Sequence, residues 1–256
     1  MATTTESKDT TQRLVCGTVW GGIEPVRREV CTRGVCGSLY STASGGNRGG
    51  DVYYMSTCSA DVITRMVLAD VKGHGEQVSE ISSWIYEALL NNMNNLHGAG
   101  ILKDLNHIVY SRGPSAITTA VIVTHNAHTS QLYYSYAGHP PILARQSRRK
   151  WMPLLLENQS AQSDLPLGVL RSVPYSQGEV HVRAGDRLLL YTDGLSEAMN
   201  PTTEEEFGER ELDAFLETLP DGDLARARDA LIERAMTFTG GPLLTDDCTL
   251  ILAEVR

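Results

Sequence analysis

Met66-Val67-Leu68-Ala69-Asp70-Val71-Lys72-Gly73-His74-Gly75, with the segment that follows it, decides how this chain is read. Four apolar residues in a row predict a buried strand, and Asp70 stands at its tip. Two glycines then let the backbone turn sharply. Beyond them, Val78, Ile81, Ile85, Leu89, Met93 and Leu96 recur in steps of three and four, which predicts an amphipathic helix over residues 76–96. Trp84, Ala88 and Leu90 widen its apolar face, and Gly98 and Gly100 stop it. A carboxylate held at a strand end before a glycine turn suits a cation, although Asp is also an ordinary turn residue.

Outward from this stretch, β-branched and aromatic content predicts strands at 51–56 and 65–70, with a turn over 58–64 between them. Ser44-Gly45-Gly46-Asn47-Arg48-Gly49-Gly50 is a loop by composition. A second helix covers about 102–110 and ends before Gly113-Pro114. Residues 118–125 and 131–137 read as a hairpin. Further strands fall at 142–144, 151–156, 180–183, 186–192 and 249–253, and helices at about 209–216 and 223–238. Between residues 14 and 40 the apolar pieces are short; 14–16 and 34–40 read as strands, and the rest as an edge strand or a docking surface. This order, strands, two helices, many strands, two helices and a strand, lacks β-α-β alternation. It predicts two mainly antiparallel sheets with helices outside rather than a doubly wound parallel sheet.

The 256 residues suit one large domain, and 41% hydrophobic with 21% charged content is ordinary for a globular chain. A net charge of −9 argues against nucleic acid or an anionic membrane as the main partner. The five cysteines, Cys16, Cys31, Cys36, Cys58 and Cys248, match no zinc spacing and read as free thiols in a reducing compartment. No signal peptide or membrane-length apolar run is visible, so a cytoplasmic protein is expected. Residues 1–13 are expected to be disordered and 14–256 to form a single domain.

Four places share a carboxylate at a strand end beside glycine or another acid: Gly49-Gly50-Asp51, Asp70-Val71-Lys72-Gly73, Thr192-Asp193-Gly194 and Asp246-Asp247. No site pairs His or Cys at zinc spacing. An all-oxygen set suits a hard octahedral cation, Mg²⁺ or Mn²⁺. Two such cations would balance the gathered negative charge and activate a water against a phosphate ester.

These motifs, together with Tyr136-Ala137-Gly138-His139-Pro140-Pro141, Leu167-Gly168-Val169, Leu195-Ser196-Glu197-Ala198, Phe207-Gly208 and Cys248-Thr249, come in the order found in a known family. The chain resembles the bacterial PP2C-type (PPM) serine/threonine phosphatases of the SpoIIE/RsbU/RsbX subgroup. The resemblance implies an α/β (α+β) fold, a four-layer α-β-β-α sandwich. It implies two Mn²⁺ or Mg²⁺ ions held by Asp51, Asp70, the Val71 backbone carbonyl, Asp193 and Asp246, with Asp70 bridging and Asp247 in support. These acids would act in catalysis through the metal-bound water. Three departures stand out. Tyr54 replaces the second acid of Gly-Gly-Asp-x-x-Asp, which bears on a third metal. Lys72 replaces a small residue. His74 lies four residues after Asp70, where a structural role at the helix start is expected. His139 is expected to anchor a turn. Lys72 and Arg48 are candidate phosphate contacts.

The activity implied is hydrolysis of phosphoserine or phosphothreonine by a metal-dependent protein phosphatase without a covalent phosphoenzyme. The substrate implied is a phosphorylated STAS-type anti-sigma-factor antagonist, with regulation supplied by a partner or by expression. The rival readings are a catalytically weak or inactive binding module on the same fold, and a hydrolase of small phosphoesters.

Overall fold

A computed structural model describes residues 11–15, 17–44, 48–58, 60–72, 76–156, 164–243 and 246–256, with backbone alone for residues 76, 77 and 209. The first ten residues of the expected disordered terminus, and His74 between its glycines, lie outside the described residues.

The strands are β1 (Gln12–Arg13), β2 (Val19–Gly22), β3 (Val26–Cys31), β4 (Val35–Thr42), β5 (Asp51–Thr57) and β6 (Ile63–Val71), followed by helices α1 (Glu76–Asn91) and α2 (Gly98–Tyr110). After a 3₁₀ turn come β7 (Thr118–Asn126), β8 (Gln131–Ala137), β9 (Leu143–Arg145), β10 (Met152–Pro153), β11 (Gly178–His181) and β12 (Arg187–Tyr191). Helices α3 (Asp193–Ser196), α4 (Gly208–Leu216) and α5 (Leu224–Thr239) precede the last strand, β13 (Cys248–Val255).

Two sheets result, one ordered β1-β3-β4-β13-β12-β9-β10 and the other β11-β8-β7-β6-β5-β2. Every pairing is antiparallel except β1 beside β3. The period-2 alternation of strand side chains makes the layers. On β6, Met66 and Leu68 enter a core between the sheets with Leu39, Leu190 and Ile251, whereas Val67, Ala69 and Val71 face the other way onto α1 and α2. On β13, Ile251 and Ala253 face the inter-sheet core, and Leu250 and Leu252 meet α4 and α5. The outcome is the four-layer α-β-β-α sandwich expected.

Helix α1 carries the anticipated stripe of Val78, Ile81, Ile85 and Leu89, all buried. It ends at Asn91, short of residue 96, because Arg65 reaches up from β6. The Arg65 guanidinium donates to the carbonyls of Asn92, at 3.0 Å, and Asn95, and its Nε to Thr124. A buried cation thus meets the negative end of a helix whose last turn has no basic residue of its own.

Two further readings change, and one open reading is resolved. Gln12 and Arg13, in the segment expected to be disordered, pair in parallel with Val30 and Cys31. Of the two readings open for the segment between residues 14 and 40, the edge strand is found: β2 forms the edge beside β5, and β3 lies against β4. Not all described cysteines are free, since Cys31 and Cys36 form a disulfide. They sit opposite each other across the β3–β4 hairpin, a register that spacing in sequence does not reveal. Cys58 and Cys248 are free and buried, and Cys16 lies outside the described residues. Among the described residues no helix is long and apolar enough to cross a membrane.

Candidate metal centre at one end of the sandwich

Antiparallel pairing puts the start of β5 beside the end of β6, so Asp51 lies opposite Asp70. Asp51 shares its strand face with Tyr53 and Met55, and Asp70 shares its own with Met66 and Leu68, so both belong to the inter-sheet side. In the other sheet, β12 ends at Tyr191 beside the beginning of β13, where Tyr191 pairs with Leu250. Thr192 and Asp193 therefore leave that sheet next to where Asp246 and Asp247 enter it.

The two sheets are joined at this point by short polar contacts. The Thr192 hydroxyl donates to Asp51 Oδ2 at 2.8 Å and accepts the Thr249 N–H at 3.0 Å. Asp247 reaches across to the loop before β5: its Oδ1 accepts from the Ser44 N–H at 2.7 Å and the Ser44 hydroxyl at 3.1 Å, and its Oδ2 from the Gly50 N–H. The approach requires glycine. A Cβ on Gly49 would stand 2.7 Å from the Asp247 carboxylate, and one on Gly194 would stand 1.9 Å from the Asp247 carbonyl oxygen.

The electrostatics of these acids are mutual. Burial pushes Asp51 well above the usual carboxylate range; hydrogen bonds from Thr192 and Thr249 oppose the shift, and the charges of Asp70 and Asp247 add to it. Asp70 is pushed up to about 7, first by burial and then by Asp193, Asp246, Asp247 and Glu197. Asp193 is raised by burial and by Asp246. Like charges that raise one another's proton affinity share one site. The described side chains do not include three His, Cys, Asp or Glu drawn in to the spacing of metal ligands. The donor chemistry nevertheless fits Mg²⁺ or Mn²⁺: the gathered groups are carboxylates, with the Val71 backbone beside them. The Val71 N–H donates to the Gly50 carbonyl at 3.1 Å, which ties the two strand ends.

The substrate-contact candidates lie at the rim. Lys72 is exposed, and its N–H donates to the Ile117 carbonyl at 3.0 Å. Arg48 is exposed and stands 3.5 Å from Glu24, a loose surface pair. Tyr54 lies on the opposite face of β5 from Asp51. Its hydroxyl is 2.9 Å from Ser82 Oγ, and its ring packs on Tyr86, so the side chain that departs from the family motif belongs to the helix layer. His139 is buried with Nδ1 2.9 Å from the hydroxyl of Thr119, the residue opposite Asp70. Burial pushes it down to about 3, so it is neutral and acts in packing.

Sequence reasoning assigned no role to Thr192, Ser44 or Glu197. Glu197 is largely exposed, and the slight burial of its carboxyl, with the charges of Asp193, Glu206 and Asp246, raises its proton affinity. Its place four residues after Asp193, on the turn that α3 makes, was the available signal.

Residues 61–256 match the family described as Stage II sporulation protein E (SpoIIE). That span contains Asp70, Asp193 and Asp246 and begins after Asp51. The phosphoserine phosphatase RsbU of Bacillus subtilis (strain 168) is 27% identical over 164 residues, 63% of this chain and 46% of RsbU, so the chain spans less than half of that relative. Among solved structures, the SiaA-PP2C domain of Pseudomonas aeruginosa superposes with a TM-score of 0.72 at 19% identity, covering 86% of this chain and 85% of that one. The PP2C phosphatase domain with a regulatory fragment of SpoIIE from Bacillus subtilis gives 0.70 at 19% identity, covering 90% and 64%. RsbX in complex with magnesium gives 0.64 at 18% identity, covering 90% and 100%.

Proposed function

Because the chain belongs to the SpoIIE family and has the PP2C-type fold, we propose that it is a metal-dependent protein serine/threonine phosphatase, with residues 14–256 as one catalytic domain. The meeting of Asp51, Asp70, Asp193 and Asp246 at one end of the sandwich carries this reading. RsbU is named a phosphoserine phosphatase, and the RsbX structure holds magnesium; both favour the same chemistry for this chain.

In this reading Asp51, Asp70, Asp193, Asp246 and the Val71 carbonyl would hold two Mn²⁺ or Mg²⁺ ions. Bound there, the pair would supply a polarised water and positive charge for the phosphate oxygens. The chain's own part is to hold the acids in position. Thr192 orients Asp51 by its hydrogen bond, and Asp247 clamps the Gly49-Gly50 loop so that β5 starts in register. Lys72 and Arg48 stand at the rim, where a cation can meet phosphate. The substrate we propose is a phosphorylated regulatory protein with a STAS-type fold.

The test is Mn²⁺-dependent hydrolysis of p-nitrophenyl phosphate and of a phosphoserine peptide by the wild type and by Asp70→Asn. We expect activity that a chelator abolishes, and a loss of at least ~100-fold in the variant. Equal rates in the two proteins would remove Asp70 from the mechanism. For Lys72→Ser, a raised KM at unchanged kcat is expected; an unaltered KM would assign Lys72 to the solvent.

A further inference from the structure

The far end of the sandwich holds a second built feature. Between β10, the edge of one sheet, and β11, the edge of the other, lies a recess of about 440 Å³. Its lining includes Arg149, Lys150, His181 and Arg183, with Met152 and Leu154. Two contacts strap its loops together. Buried Asp186 accepts the Ser147 N–H at 2.7 Å on one oxygen and the Arg183 N–H at 2.9 Å on the other. Gln146 Nε2 donates to the His181 carbonyl at 2.7 Å. The 146–150 loop itself turns through Ser147 and Arg148, both at positive φ, and closes with the Arg149 N–H donating to the Gln146 carbonyl at 2.9 Å.

The charge here runs against the rest of the molecule. The chain is −9 overall, yet Asp186, the acid lining the recess, is turned to backbone amides. Arg145 and Arg148 share Asp221, while no described acid makes an ion pair with Arg149, Lys150 or Arg183. Basic residues along a sheet edge commonly guard it against stray pairing. These instead gather over a recess whose loops are strapped together through Asp186 and Gln146. Exposed Met152 lines the recess with them, and a bare anion would leave that side chain unused.

We propose that this recess is a docking site for an extended, acidic segment of a partner protein, whose carboxylates meet Arg149, Lys150 and Arg183 while an apolar side chain of it covers Met152. The site is separate from the carboxylate cluster. Arg187, which pairs with Arg145 at this end, and Tyr191, two residues before Asp193, are at opposite ends of β12, roughly 13 Å apart at the rise of a strand. A partner bound here would leave the cluster open.

The test is fluorescence anisotropy with a labelled peptide of about twelve residues built from Asp, Glu and Leu. The proteins compared are the wild type, Arg149→Glu/Lys150→Glu/Arg183→Glu and Met152→Ser, each checked by circular dichroism and thermal melting. We expect binding that weakens with salt, a loss of at least ~tenfold on charge reversal, a smaller loss in the apolar variant, and unchanged hydrolysis of p-nitrophenyl phosphate in both. Absence of binding by the wild type at low salt, or equal affinity of the charge-reversed protein, would overturn the proposal. So would complete displacement by pyrophosphate together with wild-type affinity in the apolar variant, since that pattern belongs to a small-anion site.

Discussion

Asp70 is held in a state that water would not give it. Its carboxyl titrates near 7 in the folded chain because of burial and four neighbouring acids, against about 3.9 in an unfolded one. Between those values the folded state keeps a proton that the unfolded state has released. The stability tied to this group is therefore complete below about pH 4 and is lost as pH rises through 7. Chelator-treated protein should show a higher urea midpoint near pH 5.5 than near pH 8, and Asp70→Asn should flatten that difference. An unchanged pH dependence in the variant would assign the effect elsewhere. Thr192 is the second decisive side chain. Thr192→Val strips Asp51 of a donor and leaves the buried Thr249 N–H without its partner, at a cost of about 1–3 kcal/mol. Mn²⁺ affinity should fall ~10–100-fold, and Thr192→Ser should restore both. Thermal melting and metal titration read the two effects.

Among the elements, the strand ends matter more than the strands. Gly194 opens the short helix α3 against the backbone of Asp247, where a Cβ would overlap the carbonyl oxygen. Backbone cannot yield as a flexible side chain does, so Gly194→Ala should displace the start of β13. We expect a loss of at least ~2 kcal/mol in urea melts together with most of the activity. The β3–β4 hairpin presents a milder case. Its Cys31–Cys36 bridge spans five residues of sequence, so reduction or Cys31→Ser/Cys36→Ser should cost only about 1–2 kcal/mol, below what a long loop would give. The hairpin ladder persists without it. The long, strongly patterned elements were legible in advance: α1, the β7–β8 hairpin, β6 and β12 fall close to where periodicity put them. The short ones were not. β2 and β3 are broken by glycine and charge, and β10 keeps two residues of the six expected over 151–156. Such strands exist because a neighbour supplies the ladder, not because their residues insist on it.

For the molecule as a whole, the site is a place where two sheets must agree. Each sheet contributes acids that repel those of the other, so the metal-free fold carries a penalty that a bound divalent cation would remove. Mn²⁺ should raise the melting temperature of the wild type, with about 2.7 kcal/mol gained at a hundredfold excess over Kd. Asp70→Asn should be at least as stable as the wild type in chelator yet gain little from Mn²⁺. A variant that is less stable than the wild type in chelator and still stabilised by Mn²⁺ would contradict this division of stability and function.

Local patterning was enough to establish the layered class of the fold and the four strand-end acids, because periodicity and turn chemistry act over a few residues. The motifs between Gly49 and Thr249 were enough to identify the family resemblance. What lay beyond local patterning was convergence. The opposition of Asp51 and Asp70 depends on a strand register, and the meeting of Thr192 with Asp51 joins residues 141 apart in sequence. The same holds for Asp247 on the Ser44 and Gly50 amides, for the Cys31–Cys36 pair and for Tyr54 facing the helices. The carboxylate turn at Asp70 is a local feature; its shifted acidity arises only when the folded sheets bury it and bring their charges to one end of the sandwich.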